Sequence, residues 1–373
     1  MHTPLGPALN ADQFRPPFNE VVDEFIAKGH LLLESLQVHL HTPWKNRPLD
    51  IVIVDNSDLD ARATKDVDRD RIYIFRGALE RTYGTILGLL STPIFLPAFG
   101  NCEMEALPKE PLPGGFPPVP LLSRASSSDE YTQILIPKDS HRILVADVLI
   151  EIALEFLLYH ELGHILAGHL EIPFVNSNGA TIRERQEINE IEDFLGHVLE
   201  CDADAFACYV TSMIHMSTKV ANSLHDVVNM PEMRPQDFAL STYLTATGAL
   251  FRSIYPETPI KISDHATSHP HPAVRACLIA ISVMARHSYE GESSVSHLHE
   301  ILESSVGNLE DVWATLCLPG QNPETGPSWS RSIGTASMRL INSFRAQKPL
   351  LDQHARIRRK WDDLKWPDVL QPV

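Results

Sequence analysis

Ile143–Leu170 reads ILVADVLIEIALEFLLYHELGHILAGHL, a long apolar stretch without a proline that contains the pentad His160-Glu161-Leu162-Gly163-His164. Asp139 or Ser140 stands just ahead of it as an N-cap, so the spacing predicts one continuous helix. On a helix, residues four apart share a face, and His160 and His164 can offer imidazole nitrogens to one metal ion while Glu161 projects close by. An H-E-x-x-H element of this kind reads as two ligands to a tetrahedral Zn²⁺ plus a carboxylate placed to deprotonate an activated water. Two histidines on a half-buried helix would show the same spacing, and the chain holds 18 histidines. The uncharged Leu162, Gly163, Ile165 and Leu166 favour the metal reading, because they suit a helix buried beneath a cleft.

A zinc site of this type needs a third protein ligand and an open position. A histidine at position 170 would extend the pattern to H-E-x-x-H-x-x-G-x-x-H, but Leu170 stands there. His169 is five residues beyond His164, a separation that rotates it off the ligand face of a continuous helix, and it reads as a helix C-terminal histidine. The better source is Ile188–Val210, a second helical pattern in which Glu200 and Asp204 are four apart and share a face. In glutamate-zincins the third ligand comes from a second helix, and an acidic residue one turn later holds a histidine ligand through its other ring nitrogen. Glu200 fits the first role and Asp204 the second. An acidic solvated face is the plain alternative in a chain of net charge −17, and Asp204 as the direct ligand is a further one. Ala203, Ala205, Phe206, Ala207 and Cys208 surround the acids with small or apolar side chains, unlike a solvated stripe. Asp202 points elsewhere on the helix and ranks below both.

HELGH followed by ECDADAFA resembles the paired motifs of the integral-membrane CAAX prenyl protease and HtpX family of zinc peptidases. Two more stretches extend the likeness. SHPHPAVRACL, with His269, Pro270 and Arg275, is similar to a segment near the C-terminal end of that family's catalytic domain. LDIVIVDNSDLDARATKDVDRDRIYIFRGALERT resembles its hairpin leading into a helix, with Asp60-Ala61 in place of Asn-Ala. The resemblance runs from about Pro48 to about His287. It implies that His269, His271 and Arg275 lie near the site, with His269 facing the metal and joining Glu161 in the catalytic set. Prolines shaping a turn, with Arg275 as a structural ion pair, are the favoured reading of the stretch as a whole. The membrane relatives carry transmembrane spans. Here the most apolar candidate, TILGLLSTPIFLPAF at 85–99, is shorter than about 20 residues and is broken by Pro93 and Pro97. The likeness in architecture is therefore closer to the phage-exclusion peptidase family named after Lit.

Composition agrees with an ordinary globular chain: 373 residues, 43% apolar and 21% charged. The acidic balance disfavours a nucleic-acid partner, whose phosphates need a basic surface. Five scattered cysteines without C-x-x-C spacing suggest neither a disulfide framework nor a zinc knuckle, and a cytoplasmic location is expected. The basic run ARIRRKW at 355–361 reads as a short terminal helix that could dock on the acidic body.

Along the chain, a helical lead-in is expected over 1–47, a zincin-like domain over 48–290 with a proline-rich insertion at about 93–137, and a helical extension over 291–373. Helices are expected at Phe18–Leu40, Ala78–Leu90, Pro235–Tyr255, Ala273–Arg286 and Ser328–Phe344, and strands at Ile51–Asp55 and Arg71–Phe75. Trp313–Pro327 reads as loop. The proline-rich segment could frame the cleft as a lid or form a surface insertion. The strand Arg71–Phe75 is the candidate edge on which an extended substrate would pair, unless it lies inside the sheet. The expected fold is α+β and predominantly α-helical, a zincin-like metallopeptidase with a small β-sheet and an HExxH helix. The expected function is zinc-dependent endopeptidase action on a protein or peptide, with Zn²⁺ held by His160, His164 and Glu200. The alternatives are a catalytically vestigial zinc-binding regulator and a zinc hydrolase of a non-peptide amide.

Overall fold

The structure, a computed structural model, describes residues 5–37, 44, 47–112, 114–123, 135–172, 190–217, 221–222, 225, 233–254, 272–289, 295–317 and 334–356. The chain begins with β1 (Ala8–Leu9), α1 (Phe18–Gln37), β2 (Leu49–Val54), β3 (Ala61–Lys65) and β4 (Asp70–Phe75). Helices follow: α2 (Arg76–Leu90), α3 (Ser140–Leu166), α4 (Glu190–His215), α5 (Pro235–Ile254), α6 (Pro272–Tyr289), α7 (Val295–Leu302), α8 (Asn308–Cys317) and α9 (Gly334–His354). The protein is thus α+β and mostly helical, with one small four-stranded sheet.

The sheet order is β1-β2-β4-β3. β2 and β4 pair in parallel, Ile51 against Ile72 and Ile53 against Ile74, and β3 returns antiparallel on β4 with Ala63 against Ile72. The two parallel strands alternate buried and half-buried positions, as a sheet with one face on the core must. Arg71–Phe75 therefore lies inside the sheet, whose outer strands are β1 and, beside β4, β3. Its sequence ARATK lacks the apolar alternation that marks a strand, because an edge strand half open to solvent buries little and its pairing comes from the backbone.

α3 is buried on nearly all sides between Val145 and Leu166, which is why its sequence shows almost no polar face. It packs against α4, α5, α2 and the β3–β4 hairpin. Each fully buried leucine or isoleucine here contributes roughly 1.5–3 kcal/mol. Asp139 is the N-cap, accepting from the Arg142 backbone N–H at 3.0 Å. At the other end Gly168 takes the left-handed conformation, φ 75°, and turns the chain out of the helix.

The described part of the proline-rich segment is mostly irregular and mixes exposed stretches with residues that anchor it in the core. Phe95, Phe99, Phe116, Val119 and Leu121 all enter the core. Arg142, itself fully buried, organises it: its guanidinium donates to the carbonyls of Leu90, Thr92, Phe95, Leu96 and Phe99 at 2.7–3.2 Å. All five guanidinium N–H groups are thereby used. Arg142 precedes His160 by eighteen residues of one helix, about 27 Å of axial rise. The loop it gathers is anchored at the far end of α3 from the histidines, which does not suit a lid.

Trp313–Cys317 is helical, in contrast to the loop expected there. Leu309, Val312, Trp313 and Leu316 recur at helical spacing and are buried, with Trp313 edge-on to Phe116. Pro319 and Gly320 follow just beyond the helix. The C-terminal helix ends at His354, so Ala355 and Arg356 lie outside it, and the rest of the basic run lies outside the described residues. Arg356 does dock on acidic side chains, pairing with Asp70 and Glu171 while its backbone N–H donates to Leu166 O at 2.8 Å.

Candidate metal centre

The pentad sits on the last turns of α3, where that helix crosses α4. Gly163 faces α4, and a Cβ built there would lie 3.1 Å from Ala203 Cα. The close approach carries Glu200 to the histidines. His160 Nε2 and His164 Nε2 are 3.2 Å apart, and the Glu200 carboxylate lies 3.4 Å from the first and 3.5 Å from the second. All three side chains are buried, and among the described residues they form the one group of histidine, cysteine or acidic side chains positioned to hold a metal ion. Donor atoms about 2.05 Å from a tetrahedral ion stand roughly 3.3 Å from one another, so the 3.2 Å between the two imidazole nitrogens suits a shared metal ion.

Charge points the same way. Glu161, Glu200, Asp202 and Asp204 are all buried within this region, and one guanidinium, Arg275, stands among them. Burying several carboxylates is costly unless cations balance them. A divalent ion between His160, His164 and Glu200 would add positive charge to this cluster.

The outer nitrogens of the two histidines are also engaged. His160 Nδ1 is 2.9 Å from Asp204 Oδ1, the contact expected of a carboxylate one turn after a glutamate ligand. Asp204 is in turn gripped by Arg275, whose Nε and Nη2 donate to its two oxygens at 2.7 Å each. Asp204 thus serves the side of the ring away from Glu200, and the direct-ligand alternative for it does not suit this placement. Arg275, from α6, adopts the ion-pair geometry and also reaches Glu200 at 3.4 Å. His269 and His271 lie outside the described residues. Glu161 is buried with its carboxylate 4.0 Å from His160 Nε2.

His164 Nδ1 meets His169 Nδ1 at 2.9 Å, and His169 Nε2 meets Asp202 Oδ2 at 2.9 Å, with both partners fully buried. A continuous helix would rotate His169 off the ligand face, and Asp202 points away from the face that Glu200 and Asp204 share. The helix in fact stops at Leu166, and the left-handed Gly168 folds His169 back on His164. A glycine two residues after the last apolar position was the available signal. Cys201, next to Glu200 on α4, is half-buried.

Without metal the two ligand histidines titrate differently. Burial works against the charged form of His160, but hydrogen bonds to Asp204 and Glu200 outweigh it and raise its pKa to about 9. Burial takes His164 well below the ordinary value, despite the opposing pull of Glu200. Burial alone would raise Asp204, yet Arg275 and His160 hold it below the usual carboxylate range.

Comparison of the chain with family models, curated proteins and solved structures returned no match, so the site is read from its own geometry. No helix among the described residues is long and apolar enough to cross a membrane.

Proposed function

We propose that this chain is a zinc-dependent endopeptidase of the glutamate-zincin kind, with His160, His164 and Glu200 as metal ligands and Glu161 as general base. The observation that carries the proposal is the 3.2 Å approach of the two Nε2 atoms, with one Glu200 oxygen 3.4 Å from His160 and the other 3.5 Å from His164, and Asp204 on the outer nitrogen of His160. A zinc ion held by His160, His164 and Glu200 would supply Lewis acidity toward a carbonyl oxygen and a water. The Glu161 carboxylate accepts a proton from the attacking water and delivers it to the leaving amine nitrogen. Its burial keeps bulk water away from that transfer. Asp204 and Arg275 fix the ring of His160, and so the direction in which Nε2 points.

A peptide substrate is favoured over a small amide by the neighbouring strand. β3 packs along α3, and among the described residues it has no partner strand on its outer side. Phe75 N–H donates to Asp60 O and Asp66 N–H to Arg69 O, so the alternation of an antiparallel ladder turns the backbone groups of Ala61 and Ala63 outward. An extended peptide can pair with them and gain affinity independent of side chain. The strand expected in this role, Arg71–Phe75, is paired on both sides, and the strand open to a peptide is β3 instead.

The test is a comparison of protein termini in cells expressing wild type and the Glu161→Gln variant. New N-termini confined to wild type are expected, and identical sets of termini in the two would overturn the proposal.

A further inference from the structure

The two ligand histidines are supported in unlike ways. The outer nitrogen of His160 meets a carboxylate directly, whereas that of His164 meets a second imidazole, which in turn meets a carboxylate. We infer that His169 and Asp202 form a positioning relay that fixes the tautomer and ring orientation of His164 for metal binding. This inference rests on the metal reading of the site above and deepens it.

Proton accounting determines the relay. A histidine that binds a metal through Nε2 has no proton there, so neutral His164 carries its proton on Nδ1 and donates from it. His169 Nδ1, 2.9 Å away, must then accept and be bare. The proton of neutral His169 therefore sits on Nε2, where Asp202 Oδ2 accepts it at 2.9 Å. One buried carboxylate two residues from Glu200 thereby selects the tautomer of both rings. If the Asp202 acceptor were absent, His169 could carry its proton on Nδ1 instead. Two N–H groups would then face each other across 2.9 Å, and His164 would be driven toward the wrong tautomer.

The surroundings hold His169 in place. It lies on the short turn His169–Glu171, entered through the left-handed Gly168. Glu171 at the end of that turn is gripped by Lys65 from β3 and by Arg356 from the C-terminus. Asp202 and His169 are both fully enclosed, so no solvent competes for either hydrogen bond. A ligand imidazole braced in this way loses little orientational freedom when metal enters.

The experiment measures zinc affinity by competition with a chelator, and the visible spectrum of the cobalt(II)-substituted protein, for wild type, His169→Phe, His169→Asn and Asp202→Ala. Wild type should take up one equivalent of metal. His169→Phe preserves ring volume but offers no acceptor, and should weaken zinc binding by about 10- to 100-fold and shift the cobalt spectrum. His169→Asn places a carbonyl oxygen near the position of Nδ1 and should recover affinity to within a few-fold of wild type. Asp202→Ala should lose about tenfold. Should His169→Phe fail to fold, as judged by its circular dichroism and melting, Asp202→Ala and His169→Asn carry the comparison. Folded variants with wild-type affinity and an unchanged cobalt spectrum would overturn the relay while leaving the metal site standing. A wild-type protein that takes up no metal would overturn the metal reading, and the relay with it.

Discussion

Gly163 and Ala203 meet where α3 crosses α4, so closely that a Cβ on Gly163 would stand 3.1 Å from Ala203 Cα and 3.2 Å from both Ala203 O and a Phe206 ring carbon. The glycine inside the pentad is thus a packing requirement of the site. It lets the helix carrying Glu200 approach the helix carrying the histidines.

Two opposed effects decide the cost of filling that gap. Gly163→Ala gains about 1 kcal/mol of helix propensity and loses a similar amount to crowding, so its melting temperature should stay within a few degrees of wild type. Gly163→Val adds bulk that cannot be placed without parting the helices, and should cost about 1–3 kcal/mol. It should also weaken zinc binding, because Glu200 moves with α4. Thermal melts and chelator competition on the two variants check this; a Gly163→Val protein with unaltered stability and metal affinity would contradict the packing account.

Metal-free protein should lose stability as pH rises between about 6.5 and 9. His160, with a pKa raised from 6.5 to about 9 in the fold, favours the native state while it is protonated in that state. That contribution is complete below 6.5 and is lost as pH climbs through 9. His164, lowered by burial, acts only below 6.5 and leaves the window clear. Zinc requires neutral His160, so loaded protein should not show this decline. Melting temperatures of chelator-treated and zinc-loaded protein across the window are the measurement, and parallel curves would refute the assignment.

Arg142 anchors the irregular chain over Leu90–Phe99 through five backbone carbonyls. Replacement by Met leaves those carbonyls buried without their donors, at about 1–3 kcal/mol for each one that finds no other partner. Arg142→Met should therefore destabilise the whole protein by several kcal/mol, as read from denaturant unfolding. Arg142→Lys has fewer donors in the wrong geometry and should recover only part of the loss.

The C-terminal docking depends on Gly168. A Cβ there would lie 1.8 Å from His354 O, and the residue is also left-handed. Gly168→Ala should expel the Ala355–Arg356 segment and leave Asp70 and Glu171 without Arg356. The expected signature is faster hydrogen exchange at the Arg356 amide, now bonded to Leu166 O, with a drop in melting temperature. Unchanged exchange there would count against the docking.

Much of this was legible in the residues. The pentad on an unbroken apolar run specified the central helix, and the Glu200–Asp204 spacing brought a second helix to it, because both signals are local periodicities. The sheet was half legible: β2 and β4 bury one face and show it, whereas ARATK pairs through its backbone and shows nothing. The support of His164 was hidden for a different reason. It depends on a single left-handed residue, Gly168, that reverses the chain, and on Asp202 meeting a partner 33 positions away. Residue spacing along one helix carries no record of such a contact. The helix at Trp313 was written in its periodicity, and Pro319 and Gly320 follow just beyond it.

Metal analysis of purified wild type, Glu200→Ala and Glu161→Gln decides whether His160, His164 and Glu200 hold a zinc with Glu161 beside it. One zinc per chain is expected in wild type and in Glu161→Gln, and none in Glu200→Ala. Zinc retained in full by Glu200→Ala, or absent from wild type after reconstitution, would contradict the account.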